Sequence, residues 1–201
     1  MIGIINYGLG NIEAFKQAYE LLNLETKYVS NINDFKNCSH IILPGVGSFD
    51  YAINRFKSIG VADYLIDQAQ NNKIALLGVC VGMQMLFSTS EEGKEKGLNL
   101  LDGKVIKFKS ISNLLKTPHI GWNNIKVKDE NSILHNVNDK EFYFLHSYHC
   151  ISYCNNFCAT TYYNDIEFKC AFQKNRICGV QFHPEKSHFS GLAVLKAFSE
   201  L

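Results

Sequence analysis

Cys80 stands between two glycines in the stretch LLGVCVGMQML, which covers residues 76–86. One apolar run leads into this stretch and another leads out of it, so the cysteine marks a turn between two elements. A G-x-C-x-G turn from a strand into a helix has the layout of a nucleophile elbow, because the small flanking residues let the turn close. A helix N-terminus favours the thiolate, and the N–H of Val81 would face an oxyanion formed beside the sulfur. Cys80 is therefore a candidate nucleophile, with a buried structural thiol as the alternative.

A nucleophilic thiol needs a base and a group that orients the base. The stretch GVQFHPEKS, residues 179–187, contains both. His183 follows an apolar run typical of a strand, and Pro184 then enforces an extended bend. Residues i and i+2 of an extended chain point the same way, so Glu185 can hold one ring nitrogen of His183 while the other faces Cys80. A lone histidine after a strand is more often structural, but this one shares the chain with a cysteine elbow, and we expect a triad.

The stretch LPGVGSF, residues 43–49, places a Pro-Gly-x-Gly turn at the end of an apolar run. Glycines in such a turn adopt backbone angles that let N–H groups point at an anion. The turn could supply the second donor of an oxyanion hole from Val46 or Gly47. An ordinary turn between a strand and a helix is the alternative.

The elements that must position these residues alternate along the first half of the chain. Apolar runs predict four strands, and 3.6-residue periodicity predicts helices after the first, third and fourth. Asn11 is a candidate N-cap for the first helix, and the second helical region breaks near Gly60. The strand segments are IGIINY, TKYVS, HIIL and KIALLGV, and the helical segments are IEAFKQAYELLNL, DYAINRFKSIGVADYLIDQAQNN and MQMLFSTSEE. This order predicts a parallel sheet with helices on its faces. The turn NYGLGN lacks the third glycine of a dinucleotide-binding fingerprint, because Glu13 stands there.

The second half changes character, since short runs rich in aromatic and β-branched residues are separated by Asn, Asp and Gly. Such runs predict antiparallel strands, and SGLAVLKAFSEL predicts a C-terminal helix. The runs are DGKVIKF, GWNNIKVK, KEFYFLHSYHCISY, FCATTYY, IEFKCAFQKN and ICGVQFHPE. No repeat or linker interrupts the chain, so we expect one mixed α/β domain over residues 1–201.

The bulk composition excludes several classes of protein. The chain has 201 residues, of which 46% are hydrophobic and 19% are charged, so disorder is not expected. The formal net charge of +1 gives no sign of a nucleic-acid or membrane partner. No window is apolar for the length of a membrane span, and the start of the chain lacks the features of a signal peptide. We expect a cytoplasmic protein.

The seven cysteines are an odd number and are expected to be free thiols rather than a disulfide framework. Cys150, Cys154 and Cys158 are spaced by four residues, which raises the question of a metal site. Structural zinc sites usually use tighter pairs, and this segment predicts a strand, a turn at residues 155–156 and another strand. We expect three buried thiols and no metal.

Taken together, the cysteine elbow with GMQ after it, the FHPE stretch and the LPGVG turn resemble the triad-type, class I glutamine amidotransferases. The motifs NYGLGN, LPGVGSF, GVCVGMQ, PHIGWN, FYFLHSY and GVQFHPEKS are most similar, in this order, to the glutaminase subunits of imidazole glycerol phosphate synthase. The resemblance extends from Asn6 to the last helix. It implies an α/β fold of the class I glutamine amidotransferase type, with a central, mostly parallel sheet, flanking helices and additional antiparallel strands in the C-terminal half.

The resemblance also implies a mechanism. Cys80 would attack the side-chain amide of glutamine, His183 would accept and return the proton, and Glu185 would orient the histidine. A γ-glutamyl thioester would then be hydrolysed to glutamate, with no cofactor. The resemblance assigns the remaining site residues to glutamine binding, namely Gly45, Gln84, Ser147 and Tyr148, and to the oxyanion hole, namely Val46, Gly47 and Val81.

The partner that the resemblance implies is a (β/α)8-barrel cyclase subunit, which forms a heterodimer and receives the ammonia to make imidazole glycerol phosphate and AICAR in histidine biosynthesis. Trp122, Asn123, Tyr143 and Lys186 resemble interface positions. Each also has a simpler interpretation: a lone tryptophan is often in the core, and a tyrosine or lysine can merely face water. In this family the oxyanion turn is poorly formed until the partner is loaded.

Two departures and three alternatives remain. Val81 stands where the family often has leucine, and His149, just after the expected substrate-binding pair, is expected to be exposed.

One alternative is a related amidotransferase subunit that supplies ammonia for surface-sugar biosynthesis. A second is a stand-alone γ-glutamyl hydrolase, against which GWN and HPEKS argue. A third is a binding module with a vestigial triad, which the intact Cys80, His183 and Glu185 disfavour.

Overall fold

The computed structural model of the protein describes residues 1–108 and 116–201. The strands of this part are β1 Ile2–Ile5, β2 Thr26–Val29, β3 His40–Leu43, β4 Ala75–Val79, β5 Gly103–Lys107, β6 His119–Asn124, β7 Lys126–Val127, β8 Glu141–His146, β9 Tyr148–Ser152, β10 Phe157–Tyr163, β11 Ile166–Lys174 and β12 Ile177–Val180. The helices are α1 Ile12–Leu21, α2 Phe49–Ser58, α3 Ala62–Gln70, α4 Val81–Met85 and α5 His188–Ser199.

The central sheet has the strand order β2-β1-β3-β4-β12-β11-β10-β7. The first five strands in this order are parallel, and the last three pair in antiparallel fashion. The predicted α/β class, with a parallel sheet extended by antiparallel strands, is therefore confirmed. Strands β1, β3, β4 and β12 are buried along their whole length, as expected for parallel strands covered by helices on both faces.

The helices of the first half begin and break where the sequence predicts. Asn11 caps α1, and its Oδ1 accepts the N–H of Ala14 at 3.2 Å. The predicted break between α2 and α3 lies at Gly60, whose φ of +72° suits a residue without a side chain.

Helix α4 is shorter than the predicted helix over MQMLFSTSEE, since it has 5 residues and ends at Met85. The chain then turns back, and the N–H groups of Leu98 and Leu100 take the carbonyls of Met85 and Leu86, both at 2.8 Å. Ser and Thr at residues 88–90 favour such turns over a continued helix. The prediction of a longer helix was wrong because a distant segment satisfies these carbonyls.

The run KEFYFLHSYHCISY does not form one strand, because Ser147 separates β8 from β9. Strand β8 pairs with β6, whereas β9 pairs with β5, so the two halves belong to different small sheets. The corner at residues 147–148 joins these sheets, and this position matters for the site below.

The cysteines are all free, and four of the seven lie in strands of the second half at buried positions. Cys150 and Cys158 are buried, but Cys154 is exposed in the turn after β9, so the expectation of three buried thiols was wrong for that residue. No group of three or more His, Cys, Asp or Glu side chains in the described ranges could hold a metal ion. Within those ranges, every helix is too short or too polar to cross a membrane.

Candidate active site

Cys80 lies between β4 and α4 with φ of +54° and ψ of −115°, a conformation that residues with a side chain rarely adopt. Such strain costs on the order of 1–3 kcal/mol and is typical of functional positions. The turn is closed by glycines: a Cβ on Gly82 would lie 2.0 Å from the carbonyl oxygen of Leu43, and one on Gly45 would lie 2.2 Å from the N of Gly82. The elbow and the LPGVG turn therefore pack directly against each other.

His183 and Glu185 form a buried pair beside the elbow. The Nδ1 of His183 lies 2.8 Å from Oε1 of Glu185, and both side chains are almost fully buried. Burial alone would lower the pKa of His183, but the Cys80 thiolate and the Glu185 carboxylate together raise it to about 10. The Nε2 of His183 has no hydrogen-bond partner in the described part of the chain and is available to a reacting group.

The sulfur of Cys80 has two further polar neighbours. The Nε2 of Gln181 donates to Sγ at 3.7 Å, and the carbonyl oxygen of Leu145 lies 3.8 Å from Sγ. Gln181 is fully buried, and its Oε1 accepts from Nε2 of Gln84 at 3.1 Å. The same Nε2 donates to the carbonyl of Tyr148 at 3.3 Å, so both donor hydrogens of Gln84 are used inside the protein and its Oε1 remains for a ligand.

A cavity of about 260 Å³ opens over Cys80 and His183. It brings together most of the site residues expected from the sequence, and its lining includes Val46, Gly47, Val81, Gln84, Ser147, Tyr148 and Lys186. Two expected residues lie behind the lining: Gly45 packs on the elbow, and Glu185 is covered by His183. The pocket volume and the mixture of apolar and polar groups fit a small amino acid.

Glu92, Pro118, Leu145 and His146 also line the cavity, although none of them was an expected site residue, and Glu92 lies outside every quoted motif. Glu92 is anchored, since its Oε2 accepts the N–H of Phe49 at 2.9 Å. Burial is the largest influence on this carboxyl and raises its pKa. A half-buried carboxylate in a cavity of this size suits a positively charged amino group.

The residues expected to supply oxyanion donors line the same cavity as Cys80. Val81 is the first residue of α4, where the N–H groups have no acceptor within the helix. Val46 is 39% exposed, Gly47 has φ of +84°, and both residues line the cavity. The hydroxyl of Tyr7 donates to the carbonyl of Pro44 at 2.7 Å and anchors the start of the turn.

Three of the four residues expected at an interface, namely Trp122 on β6, Tyr143 on β8 and the nearby Lys186, lie together. Trp122 is 43% exposed, so the interpretation that it belongs to the core is wrong. Its ring lies 5.9 Å from that of Tyr143 and stacks on His188 at 5.1 Å, and Nζ of Lys186 lies 5.6 Å from the Tyr143 ring. These four side chains, Trp122, Tyr143, Lys186 and His188, are called the aromatic patch below.

Asn123 and His149 differ from the expectations in their orientation. The Nδ2 of Asn123 points inward and donates to the carbonyl of Tyr162 at 2.6 Å. His149 is 3% exposed and stacks on Phe108 at 4.8 Å, so the expectation that it is exposed was wrong. Asn123 lies on the inner face of the β6–β8 sheet and His149 on the inner face of the β5–β9 sheet, and the local sequence does not reveal which face is buried.

Comparison with known proteins gives a consistent result. The family described as "Glutamine amidotransferase class-I" matches residues 4–198. The sequence is 43% identical over 205 residues to "Imidazole glycerol phosphate synthase subunit HisH" of Leptospira interrogans, with 100% of both chains covered. It is 40% identical over 202 residues to "Imidazole glycerol phosphate synthase subunit HisH 2" of Methanococcus maripaludis, with 98% of both chains covered.

Solved structures agree on the fold. A crystal structure of a glutamine amidotransferase superposes with a TM-score of 0.77 at 16% identity, with 98% of both chains covered. The structure of PurLQS from Thermotoga maritima gives a TM-score of 0.75 at 17% identity, with 99% of this chain and 97% of that chain covered. The resemblance drawn from the motifs is confirmed: this chain belongs to the class I glutamine amidotransferase family, together with the full-length subunits of imidazole glycerol phosphate synthase.

Proposed function

We propose that this chain is the glutaminase subunit of an imidazole glycerol phosphate synthase. It hydrolyses glutamine to glutamate and ammonia, and a cyclase subunit uses the ammonia in histidine biosynthesis. The observation that carries the chemistry is the strained Cys80 next to the buried His183–Glu185 pair at the floor of one cavity. The pathway is supported by the full-length relatives named above. Residues 1–201 act as one domain in this proposal.

Glutamine binds with its side-chain amide over Cys80. Its α-ammonium group lies toward the Glu92 carboxylate, and the free Oε1 of Gln84 accepts a hydrogen bond from the ligand. The corner formed by Ser147 and Tyr148 closes the amino-acid end of the cavity. This orientation pairs the cationic end of the ligand with the carboxylate that lines the cavity.

The reaction starts with His183 as an imidazolium held by Glu185, and the raised pKa of this histidine supports that charge. The Cys80 sulfur attacks the amide carbon, and the carbonyl electrons move to the oxygen. The N–H of Val81 and a backbone N–H of the turn at Val46 and Gly47 stabilise this oxyanion. The intermediate collapses, His183 donates its Nε2 proton to the departing nitrogen, and ammonia leaves a γ-glutamyl thioester.

Hydrolysis then regenerates the site. Neutral His183 accepts a proton from water, the hydroxide attacks the thioester carbon, and the carbon–sulfur bond breaks to release glutamate and the Cys80 thiolate. The histidine is again an imidazolium, as at the start. Each step uses groups that already line the cavity, so no cofactor is needed.

The partner is a (β/α)8-barrel cyclase, and the aromatic patch is the surface that receives it. Trp122, Tyr143 and Lys186 are partly exposed, and the ring of Tyr143 lies 6.2 Å from that of His183, which supports docking of the partner next to the departing ammonia. Asn123 belongs to the same strand but supports it from inside. The partner also orders the turn at Val46 and Gly47, which lines the cavity.

The test measures glutamate release from glutamine by this chain alone and with the barrel cyclase carrying its nucleotide ligand. A low rate alone that rises with the loaded cyclase is expected. A high rate that ignores the cyclase would support the stand-alone γ-glutamyl hydrolase instead. If neither the chain alone nor the complex releases glutamate, but a glutamine-like diazo-ketone labels Cys80, the result would point to a different partner, such as one in surface-sugar amination. No glutamate release and no labelling of Cys80 would contradict the glutaminase assignment.

A further inference from the structure

Two buried histidines link the strand of the aromatic patch to the corner of the glutamine cavity. His119 on β6 and His146 on β8 lie 3.0 Å apart between Nδ1 of the first and Nε2 of the second. Nδ1 of His146 lies 2.7 Å from the carbonyl oxygen of Tyr148. At the other end, Nδ2 of Asn123 lies 2.9 Å from Nε2 of His119.

Only one arrangement of protons satisfies every contact in this chain of hydrogen bonds. A carbonyl oxygen can only accept, so Nδ1 of His146 carries a proton and donates to Tyr148. With His146 neutral, its Nε2 accepts from Nδ1–H of His119, and Nε2 of His119 accepts from the amide of Asn123. Asn123 donates its second hydrogen to the carbonyl of Tyr162. Both histidines are neutral, and each ring nitrogen has one partner.

The surroundings hold the pair in this neutral state. His119 is 2% exposed and His146 is 6% exposed, and the rings of Phe108, Phe144 and Phe168 enclose them. Burial lowers the pKa of His119 to about 4, and burial is also the largest cause that holds the pKa of His146 well below its usual value. The direction of the hydrogen bonds is therefore fixed at neutral pH, unlike that of an exposed imidazole.

The backbone carbonyl of Tyr148 accepts two hydrogen bonds, one from the histidine pair and one from the residues around the nucleophile. From one side it accepts from His146, and from the other it accepts from Nε2 of Gln84 at 3.3 Å. Gln84 in turn contacts Gln181, whose amide donates to the sulfur of Cys80. The histidine pair therefore holds a carbonyl that is also hydrogen-bonded to the residues around the nucleophile.

We propose that His146 and His119 are positioning residues for glutamine binding. Each histidine donates one hydrogen bond toward Tyr148, and together they tie the Tyr148 carbonyl to strand β6. This inference rests on the proposed glutaminase function and deepens it. The histidines act through Tyr148 and Gln84, since His119 does not line the cavity and His146 spends both ring nitrogens inside the protein. Losing the bond to Tyr148 frees the corner that closes the amino-acid end of the cavity.

Matched amide substitutions separate this role from simple packing. The side-chain amide of Asn places its nitrogen near the Nδ1 position of histidine, and that of Gln reaches toward the Nε2 position. His146→Asn therefore keeps the donor to Tyr148, whereas His146→Gln loses it. Leaving that carbonyl without its partner is expected to raise KM for glutamine about tenfold in His146→Gln, with kcat changed less than about threefold. In His146→Asn, KM is expected to stay within about threefold of the parent.

His149→Phe is the control, because His149 lies in the same aromatic cluster and neither ring nitrogen has a hydrogen-bond partner among the described residues. Its KM is expected to match that of the parent. If both His146 variants change KM equally, or if KM follows thermal stability across the three variants, the pair has only a packing role and the inference is overturned.

A second pair covers the case in which His146 variants do not fold. His119→Asn keeps an amide near the Nδ1 position that faces His146, and His119→Gln does not. The affinity of each variant for glutamine is measured by calorimetry in a Cys80→Ala background, which removes hydrolysis. A dissociation constant raised about tenfold in His119→Gln and unchanged in His119→Asn supports the inference, and equal constants overturn it. Absence of glutamate release by the parent enzyme with loaded cyclase instead overturns the proposed function, so the two failures are distinct.

Discussion

The backbone carbonyl of Tyr143 accepts the N–H of His183 at 2.9 Å. The N–H of Tyr143 donates to Oγ of Ser187 at 3.0 Å, and that hydroxyl donates to the carbonyl of His183 at 2.6 Å. A single residue of β8 therefore holds both ends of the segment that carries the proposed catalytic histidine and its carboxylate. Because the side chain of Tyr143 belongs to the aromatic patch, a partner that docks there touches the residue whose backbone positions His183.

The aromatic patch should therefore matter more for activation by the partner than for glutamine binding. Trp122→Ala is expected to reduce the stimulation of glutamate release by the loaded cyclase about tenfold or more, since a buried aromatic anchor at an interface is worth roughly 2 kcal/mol. KM for glutamine should change little. Tyr153→Ala is the control, because Tyr153 is an exposed aromatic residue in the turn after β9. Unchanged stimulation in Trp122→Ala would remove this residue from the interface.

Backbone strain at Cys80 should appear as a difference between two inactive variants. Cys80→Ala and Cys80→Gly both lack the nucleophile and should release no glutamate. Glycine adopts φ of +54° and ψ of −115° without a clash of its own Cβ, so Cys80→Gly should be more stable than Cys80→Ala by about 1 kcal/mol. Chemical denaturation of both variants measures this difference. Equal stabilities would mean that the elbow is not strained, and residual activity near the parent level would contradict the nucleophile assignment.

The charge of His183 should depend on the sulfur next to it. The Cys80 thiolate and the Glu185 carboxylate raise the pKa of His183 to about 10 against the opposing effect of burial. In Cys80→Ala only Glu185 remains, so the pKa of His183 should fall by at least about one unit. Titration of the ring by NMR, with the signal identified through a His183→Gln variant, measures the midpoint. A midpoint that does not move would show that the sulfur does not contribute to the raised pKa of His183.

The raised pKa of His183 also makes the free energy of unfolding depend on pH above neutrality. An unfolded histidine has a pKa near 6.5, whereas folded His183 has a pKa of about 10. The stabilisation from the charged site is therefore complete below pH 6.5 and is lost as the pH rises toward 10. Denaturation curves between pH 6.5 and 10 should show a smaller loss in His183→Gln than in the parent protein. Parallel curves for the two proteins would contradict the charged resting state.

Buried neutral histidines should make the free energy of unfolding decrease as the pH falls, whereas His183 makes it decrease as the pH rises. Burial lowers the pKa of His149 from 6.5 to about 4, so the unfolded chain binds its proton first as the pH falls. Stability from this group is therefore complete above pH 6.5 and is lost between pH 6.5 and 4. His149→Phe should reduce the slope of unfolding free energy against pH by on the order of 1 kcal/mol per pH unit. The exposed His135 supplies the control substitution, His135→Phe. An equal slope in the parent and His149→Phe would contradict the neutral buried state.

Much of the site could be predicted from the sequence, because its chemistry depends on short stretches. The G-x-C-x-G pattern around Cys80 and the His-Pro-Glu stretch at His183 are both local, since the first supplies the nucleophile in its turn and the second supplies the base and its carboxylate two residues apart. The alternation of strands and helices likewise predicted the parallel half of the sheet, since each element has its own periodicity. These features need no knowledge of distant contacts.

Other features were decided only by the tertiary structure. Glu92 stands in a polar loop with no pattern around it, and it reaches the cavity because a distant N–H, that of Phe49, anchors its carboxylate. The early end of α4 has the same cause, since its last carbonyls are satisfied by a segment that returns from beyond the loop. In both cases the partner is far along the chain, and local propensity carries no record of it.

The sequence by itself determined which residues can perform the chemistry and the order of the elements that carry them, because side-chain type and periodicity are local properties. The tertiary structure alone decided which of those side chains face the cavity and which support it. His119 and His146 are 27 residues apart in the chain and meet only because β6 and β8 pair in one register. A shift of that register by a single residue would turn the histidines outward, so their role depends on the pairing of the two strands and not on either motif alone.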